Sequence, residues 1–568
     1  MNSKEGVPAE PPSGISLTLQ RRWLGQIANV DVVWEPGKPS YALAERLAWS
    51  LVGLFAVAYL TIFAWLSPLA LQDFPNHLAR ARVMADLLFQ HGARFGDQFD
   101  LQVLAVPYLL GDLVLATTIR LCGITGAALA WTAASFLSLP VALLFYLSTV
   151  RLRPDTKALL VLLSLYLATD WFFLAGFLEF RVGVATTLVV LALAERFRLR
   201  PSVPSLGLFA IVVLAGYLVH LTTLVFASVL LGTLGAWRVF HKRSRLSVEA
   251  ALLLPCVALL VWHFGFTSEY RHPGDLVENP FIWGTVPLKL AGVLGEFRRY
   301  SPRPDQLMMA TLVAAVGCQV GYFWRRARRP SVACLEFLAL AGVMLALYFI
   351  LPMGYAEAYY VDVRALPFVS SFLILSLLSF APADSQVAGG KPVVAVLLAA
   401  ALVGGNLAYL TAHMWSQKQW LTQYRRVIAV APPHSRVLPV YTTGAEGKVV
   451  PLLHSFAFAS IDRDAVIPYL QTGDTGNPQK YLRYRDRPYA PDQMWYSNVP
   501  PSPVDWQRVA CDYQYLLVIK PFEPARFGLT TTVRMENNTA SLLAIGRPTT
   551  CAGATVAVNR DYRGSTHP

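Results

Sequence analysis

The stretch LAWSLVGLFAVAYLTIFAWLSPLALQDFPNHLARAR, residues 47–82, decides how the chain reads. Its first part is an apolar run as long as a membrane crossing, which takes roughly twenty residues as helix. The run then empties into Asp73, Pro75, His77 and Arg80. Titratable chemistry stands where a transmembrane helix has just ended.

Similar apolar runs recur along most of the 568 residues, which are 55% hydrophobic and 15% charged, with mean hydropathy +0.44. A soluble chain carries about 25% charged residues. The reading is a multi-spanning α-helical membrane protein of about 11–13 transmembrane helices with a C-terminal exported α/β domain. Candidate spans are 47–69, 104–120, 124–150, 158–174, 182–194, 206–218, 221–237, 250–266, 307–323, 334–351, 367–378 and 393–410. The net charge of +13 does not point to nucleic acid. Its arginines cluster in short loops, WRVFHKRSR (237–245) and WRRARR (324–329), the pattern of cytoplasmic loops.

The domain reading follows. Residues 1–45 form a cytoplasmic N-terminal segment, with Arg21, Arg22, Lys38 and Arg46 before or at the first span. Residues 46–412 form the transmembrane domain, with exported loops at 71–103, 267–306 and 352–366. Residues 413–568 are polar and turn-rich with strand-like runs, an exported α/β domain. An even number of spans would return this domain to the cytoplasm, so one run between residues 104 and 150 is miscounted, with Pro140 as the candidate break. The YQYLLVI run, 513–519, reads as a strand covered on both faces. Six cysteines show no metal spacing; Cys511 and Cys551 would be free to pair if exported.

Within LQDFPNHLARAR, Pro75 suits a first helical turn and Asp73 suits a cap. A helix there puts Asp73, His77 and Arg80 on one side. Leu78, Val83, Leu87 and Leu88 would rest it on the bilayer surface. Two readings fit. In one, Asp73 only caps and Arg80 only meets lipid headgroups. In the other, Asp73 is a general base that takes a proton from an acceptor hydroxyl, with nearby cations holding an anionic leaving group.

A first span followed by a loop that opens on Asp and a juxtamembrane helix resembles the GT-C superfamily of polyprenyl-phosphate-dependent glycosyltransferases. This group includes protein O-mannosyltransferases, lipid A aminoarabinose transferases and rhizobial lipopolysaccharide glycosyltransferases. The resemblance extends to many uneven spans, a large exported loop and an exported C-terminal domain. It implies a bacterial inner-membrane enzyme that transfers a sugar from a polyprenyl phosphate to a glycan or lipid acceptor, with inversion. Membrane lipids would surround it. Asp73 would be the catalytic base. Asn76, His77 and Arg80 would line the substrate, together with Asp170, Glu179 and Arg181 from TDWFFLAGFLEFR (169–181) and His220 from LVHLTT. Arg364, in an Arg-x-x-Pro pattern before a late span, would contact the lipid phosphate, since its fork binds phosphate bidentately. No cofactor beyond the lipid-linked donor is implied. Many members carry an acidic pair here, whereas Asp73 is flanked by Gln72 and Phe74, so no metal ligand is assigned and a divalent ion stays open.

Each residue also has a plainer reading: a Glu179–Arg181 pair, a structural His220, an Arg364–Asp362 pair holding a loop. Two rival functions remain. A flippase of lipid-linked glycans would want midplane charges and inverted repeats. A non-catalytic scaffold would leave Asp73 dispensable.

Overall fold

The computed structural model describes residues 39–103, 105–266, 281–324, 330–355, 358–379, 392–441, 453–472, 481–491, 504–519, 528–548 and 551. The loop at 325–329 and Glu357 lie outside them. The chain begins with α1 (Pro39–Leu66), the first apolar run. Next comes α2 (Phe74–Phe89), with Pro75 in its first turn as expected. Helix α2 does not lie on the bilayer. Leu78 and Val83 are buried inside the protein, and so is most of the helix. The cover is α3 on one side and the C-terminal segment around 453–463 on the other, a long-range packing that a local pattern cannot announce.

The runs 104–120 and 124–150 form two helices joined at a kink and numbered together as α3 (Leu109–Leu147). The break is at Gly123, with φ 71° and ψ 175°, a conformation that glycine adopts without steric cost. Pro140 sits inside the helix without breaking it. Helix α4 (Pro154–Leu167) is the most enclosed of the set. It is followed by a four-residue turn of helix, Trp171–Leu174. Then come α5 (Leu178–Leu199), α6 (Val203–Val219), α7 (Leu221–Phe240) and α8 (Leu246–Phe266). The last group is α9 (Pro302–Trp324), α10 (Val332–Ile350), α11 (Leu366–Leu378) and α12 (Pro392–Ile428). Among the described residues, seven helical segments are long and apolar enough to cross a membrane, and two shorter apolar helices accompany them. This count is below the expected 11–13. The two helices that meet at Gly123 are counted there as one segment, and the expected runs 206–218 and 367–378 fall in the two shorter helices.

Helix α12 continues through residues 412 and 413, where the change in composition suggested a boundary. The sheet begins at β1 (Val437–Tyr441) and adds β2 (Tyr515–Ile519), β3 (Thr531–Glu536) and β4 (Ala540–Ile545). Their order is β1-β2-β4-β3: β1 runs parallel to β2, and the other pairs are antiparallel. Strand β2 is central. Leu516 and Val518 pack with Val509 and Leu543 in a small core of the sheet's own, while Leu517 faces the main core. Burial on both faces is why its sequence is continuously apolar. Cys511 and Cys551 form a disulfide with Cα atoms 5.4 Å apart.

The first loop joins this region directly. Phe99–Leu101 pairs antiparallel with Leu482–Tyr484, and Arg82 and Arg94 both reach Asp464. The opposite end of α5 carries Arg198 and Glu195, paired with Glu249 and Arg238. Sixteen residues at 1.5 Å rise place Glu195 about 24 Å along the helix from Glu179. The basic 238–245 loop and the acidic first loop therefore stand at opposite ends of the bundle.

Candidate active site

Asp73 is placed by backbone contacts from the 174–176 turn. Its N–H donates to the Ala175 carbonyl (2.9 Å), and Gln72 N–H donates to that of Leu174 (3.3 Å). Gly176 allows this approach: its φ is 81°, and a Cβ there would stand 2.5 Å from Phe74 N and 2.7 Å from Asp73 N. The Asp73 side chain makes no capping bond to α2. Its Oδ1 lies 3.1 Å from His454 Nε2, and its Oδ2 makes no hydrogen bond among the described residues. The expected cap is thus replaced by a partner from the far end of the chain.

The next turns of α2 present Asn76, His77 and Arg80 on the same side, as the spacing predicts. Asn76 is buried and spends its amide on the C-terminal region: Nδ2 donates to Tyr469 O (3.2 Å) and His454 Nδ1 (3.2 Å), while Oδ1 accepts from Gln471 N–H (3.1 Å). Arg80 is enclosed by the protein. Nε and Nη2 hold Asp112 bidentately, the latter at 2.9 Å, and Nη1 reaches the Gln471 carbonyl (3.3 Å). Tyr481 donates its hydroxyl to the same Asp112. Arg80 Nη2 also lies 2.9 Å from His77 Nδ1, and Glu179 Oε1 is 3.0 Å from that nitrogen. One ring nitrogen cannot accept from Arg80 and donate to Glu179 together, and Glu179 Oε1 has no other hydrogen bond.

Glu179 therefore faces His77 and not Arg181. Arg181 pairs with Asp170 (2.7 Å), and Asp170 also caps the Trp171–Leu174 turn by accepting from Phe173 N–H. These two residues brace the turn that holds Asp73, one step removed from it. Tyr108, at the left-handed start of α3 (φ 71°), lies 2.9 Å from His220 Nε2 through its hydroxyl. His220 caps α7, accepting from Thr222 N–H at Nδ1. Arg364 lies 5.8 and 6.0 Å from the ring centroids of Phe177 and Phe180. Its Nε has no partner among the described residues. Arg364 does not pair with Asp362; Lys289 takes that carboxylate at 3.4 Å. Asp73 and Arg364 thus both contact the same short segment, 175–180, Asp73 at Ala175 and Arg364 at the rings of Phe177 and Phe180.

His77, Asp112 and Glu179 place ligand atoms within 4.8 Å of one another. Arg80 already stands against two of them, on Asp112 and His77. The negative charge a cation would neutralise is answered by guanidinium, so the donor set does not fit a metal as arranged. Sequence reasoning missed Tyr108, Asp112, His454 and Tyr481. Asp112 carried a signal, an acid in the apolar run LLGDLVLA. The two C-terminal residues carried none.

No family model and no curated protein matches the chain. Among solved structures it is similar to ArnT from Cupriavidus metallidurans bound to undecaprenyl phosphate, with 13% identity over 88% of this chain and 99% of that one, at TM-score 0.47. It is likewise similar to the apo state of the same protein, with 13% identity over 88% and 98%, at TM-score 0.48.

Proposed function

We propose that the chain is a membrane glycosyltransferase that moves a sugar from a polyprenyl phosphate to an acceptor hydroxyl, with Asp73 as general base. The observation that carries this reading is that Asp73 and Arg364 both contact segment 175–180. Asp73 spends Oδ1 on His454, and the buried Nε of Arg364 has no hydrogen-bond partner among the described residues. A base and a cation that both contact one short segment suit displacement at a carbon whose leaving group is a phosphate.

The acceptor O–H loses its proton to Asp73 Oδ2 as its oxygen attacks the anomeric carbon. The bond from that carbon to the phosphate oxygen breaks, and the electron pair leaves with the polyprenyl phosphate. Arg364 binds the emerging charge through a fork matched to phosphate. A single displacement inverts the anomeric centre. Arg80 takes no part in the bond changes; it neutralises Asp112 and holds α2 against the C-terminal region. The setting favours a lipid donor, because α3, which begins at this site, is long and apolar.

The test is replacement of Asp73 in a host strain lacking the native copy, with envelope glycans read by mass spectrometry. Asp73→Asn keeps the shape and removes the basicity. Loss of the added sugar at wild-type protein level is the expected result, at least about 10²-fold, the scale of a general base. Full complementation by Asp73→Asn would favour the scaffold reading.

A further inference from the structure

We infer that His454 is a positioning residue for Asp73: a neutral imidazole, held in its Nε2–H tautomer, that binds Oδ1 and leaves Oδ2 to take the acceptor's proton. This deepens the proposed reaction and rests on Asp73 being its base.

The tautomer follows from groups whose roles are not negotiable. A backbone N–H only donates and a backbone carbonyl only accepts. Gln471 N–H lies 3.1 Å from one end of the Asn76 amide, so that end is the oxygen. The Tyr469 carbonyl lies 3.2 Å from the other end, so that end is the NH2. The same NH2 lies 3.2 Å from His454 Nδ1, which must therefore offer a lone pair. A neutral ring with a bare Nδ1 carries its proton on Nε2, and Nε2 lies 3.1 Å from Asp73 Oδ1. The side chains of Asn76 and His454 are both buried.

The alternatives each break a bond. An imidazolium would set Nδ1–H against the Asn76 NH2. Reversing Asn76 to receive that proton would set its oxygen against the Tyr469 carbonyl and its NH2 against Gln471 N–H. Each leaves buried polar groups mismatched, which is costly away from water. His454 thus does not shuttle the transferred proton. It anchors one carboxylate oxygen and so aims the other. Asn76 from α2 and the backbone of Tyr469 and Gln471 together set this arrangement, so the site is complete only when the C-terminal region is docked.

Solid-state NMR of isotope-labelled histidine nitrogens in the full-length protein in bilayers tests this, with His454 assigned from the signals lost in His454→Gln. The expected spectrum has a protonated Nε2 and a bare Nδ1. Asp73→Asn should shift the Nε2 signal and leave Nδ1 bare. Asn76→Asp should move the proton to Nδ1, where the new carboxylate draws it. A protonated Nδ1 in the wild type, or an Nε2 signal indifferent to Asp73→Asn, overturns the inference, and both readings stand even if Asn76→Asp does not fold. The two ideas fail separately. Transfer surviving in Asp73→Asn sinks the reaction and leaves the tautomer. Transfer lost with Nδ1 protonated sinks the positioning role and leaves the reaction.

Discussion

Among single residues, two arginines expected to serve the substrate have different tasks. Arg80 has its guanidinium spent on Asp112, His77 and Gln471. Removing it leaves Asp112 buried and unpaired, a loss of about 3–5 kcal/mol. Arg80→Met should therefore lower the thermal stability of the purified protein sharply, before any question of catalysis arises. Arg364 lies against aromatic faces, with Nε unspent among the described residues. Arg364→Ala should leave the melting temperature close to wild type and weaken binding of undecaprenyl phosphate about tenfold or more, the worth of a charge-assisted hydrogen bond. Titration of each variant with the lipid separates the two roles. Unchanged lipid affinity in Arg364→Ala would remove it from the donor site.

Among elements, the decisive piece is the turn 174–177, which has no regular structure beyond it until α5. Gly176→Ala adds a Cβ at φ 81° that would meet backbone atoms of Asp73 and Phe74 well inside contact distance. Neither backbone can yield without moving the start of α2. The variant should destabilise by at least about 1–3 kcal/mol, the cost of a strained backbone site, and should lose transfer even where protein accumulates. Wild-type transfer in Gly176→Ala would mean that this turn does not set Asp73. Such a contact was not legible in the sequence, where Gly176 is one glycine of 37. What was legible obeyed local rules. The spacing of Asp73, His77 and Arg80 put them on one side of α2 because helical period alone decides that. The YQYLLVI run, 513–519, read as a doubly covered strand because it is apolar from Tyr515 onward, and the strand covers Tyr515–Ile519. The partners of those residues were not legible, because Arg80 to Asp112 and Asp73 to His454 are chosen by packing between distant segments. Pro140 misled for the opposite reason: it is a strong local breaker that the surrounding bundle tolerates, while Gly123 makes the bend.

At the scale of the whole molecule, one of the latches between the transmembrane and C-terminal parts is a phenol. Tyr481 comes from the C-terminal region, is fully buried, and donates to Asp112 at the start of α3. Burial, and then the neighbouring Asp112 charge, push its hydroxyl well above the ordinary value of 10.0. The folded protein thus holds this proton where the unfolded chain has released it. The sign follows: the latch's contribution is fully present below about pH 10 and is lost as pH rises beyond it. Alkaline solution should therefore loosen the C-terminal region from the bundle. Tyr481→Phe separates this from general alkaline unfolding. At neutral pH it should cost about 1–3 kcal/mol, because Asp112 loses one of its two partners in a buried site. It should also flatten the decline, since a phenyl ring has no proton to lose. Thermal unfolding of wild type and Tyr481→Phe from about pH 8 to about pH 11 brackets the ordinary phenol range and gives both quantities. Parallel curves for the two proteins would show that the latch is not what alkali opens, and the docking would then rest on the Arg82–Asp464 pair, Asn76 and the short Phe99–Leu101 pairing instead.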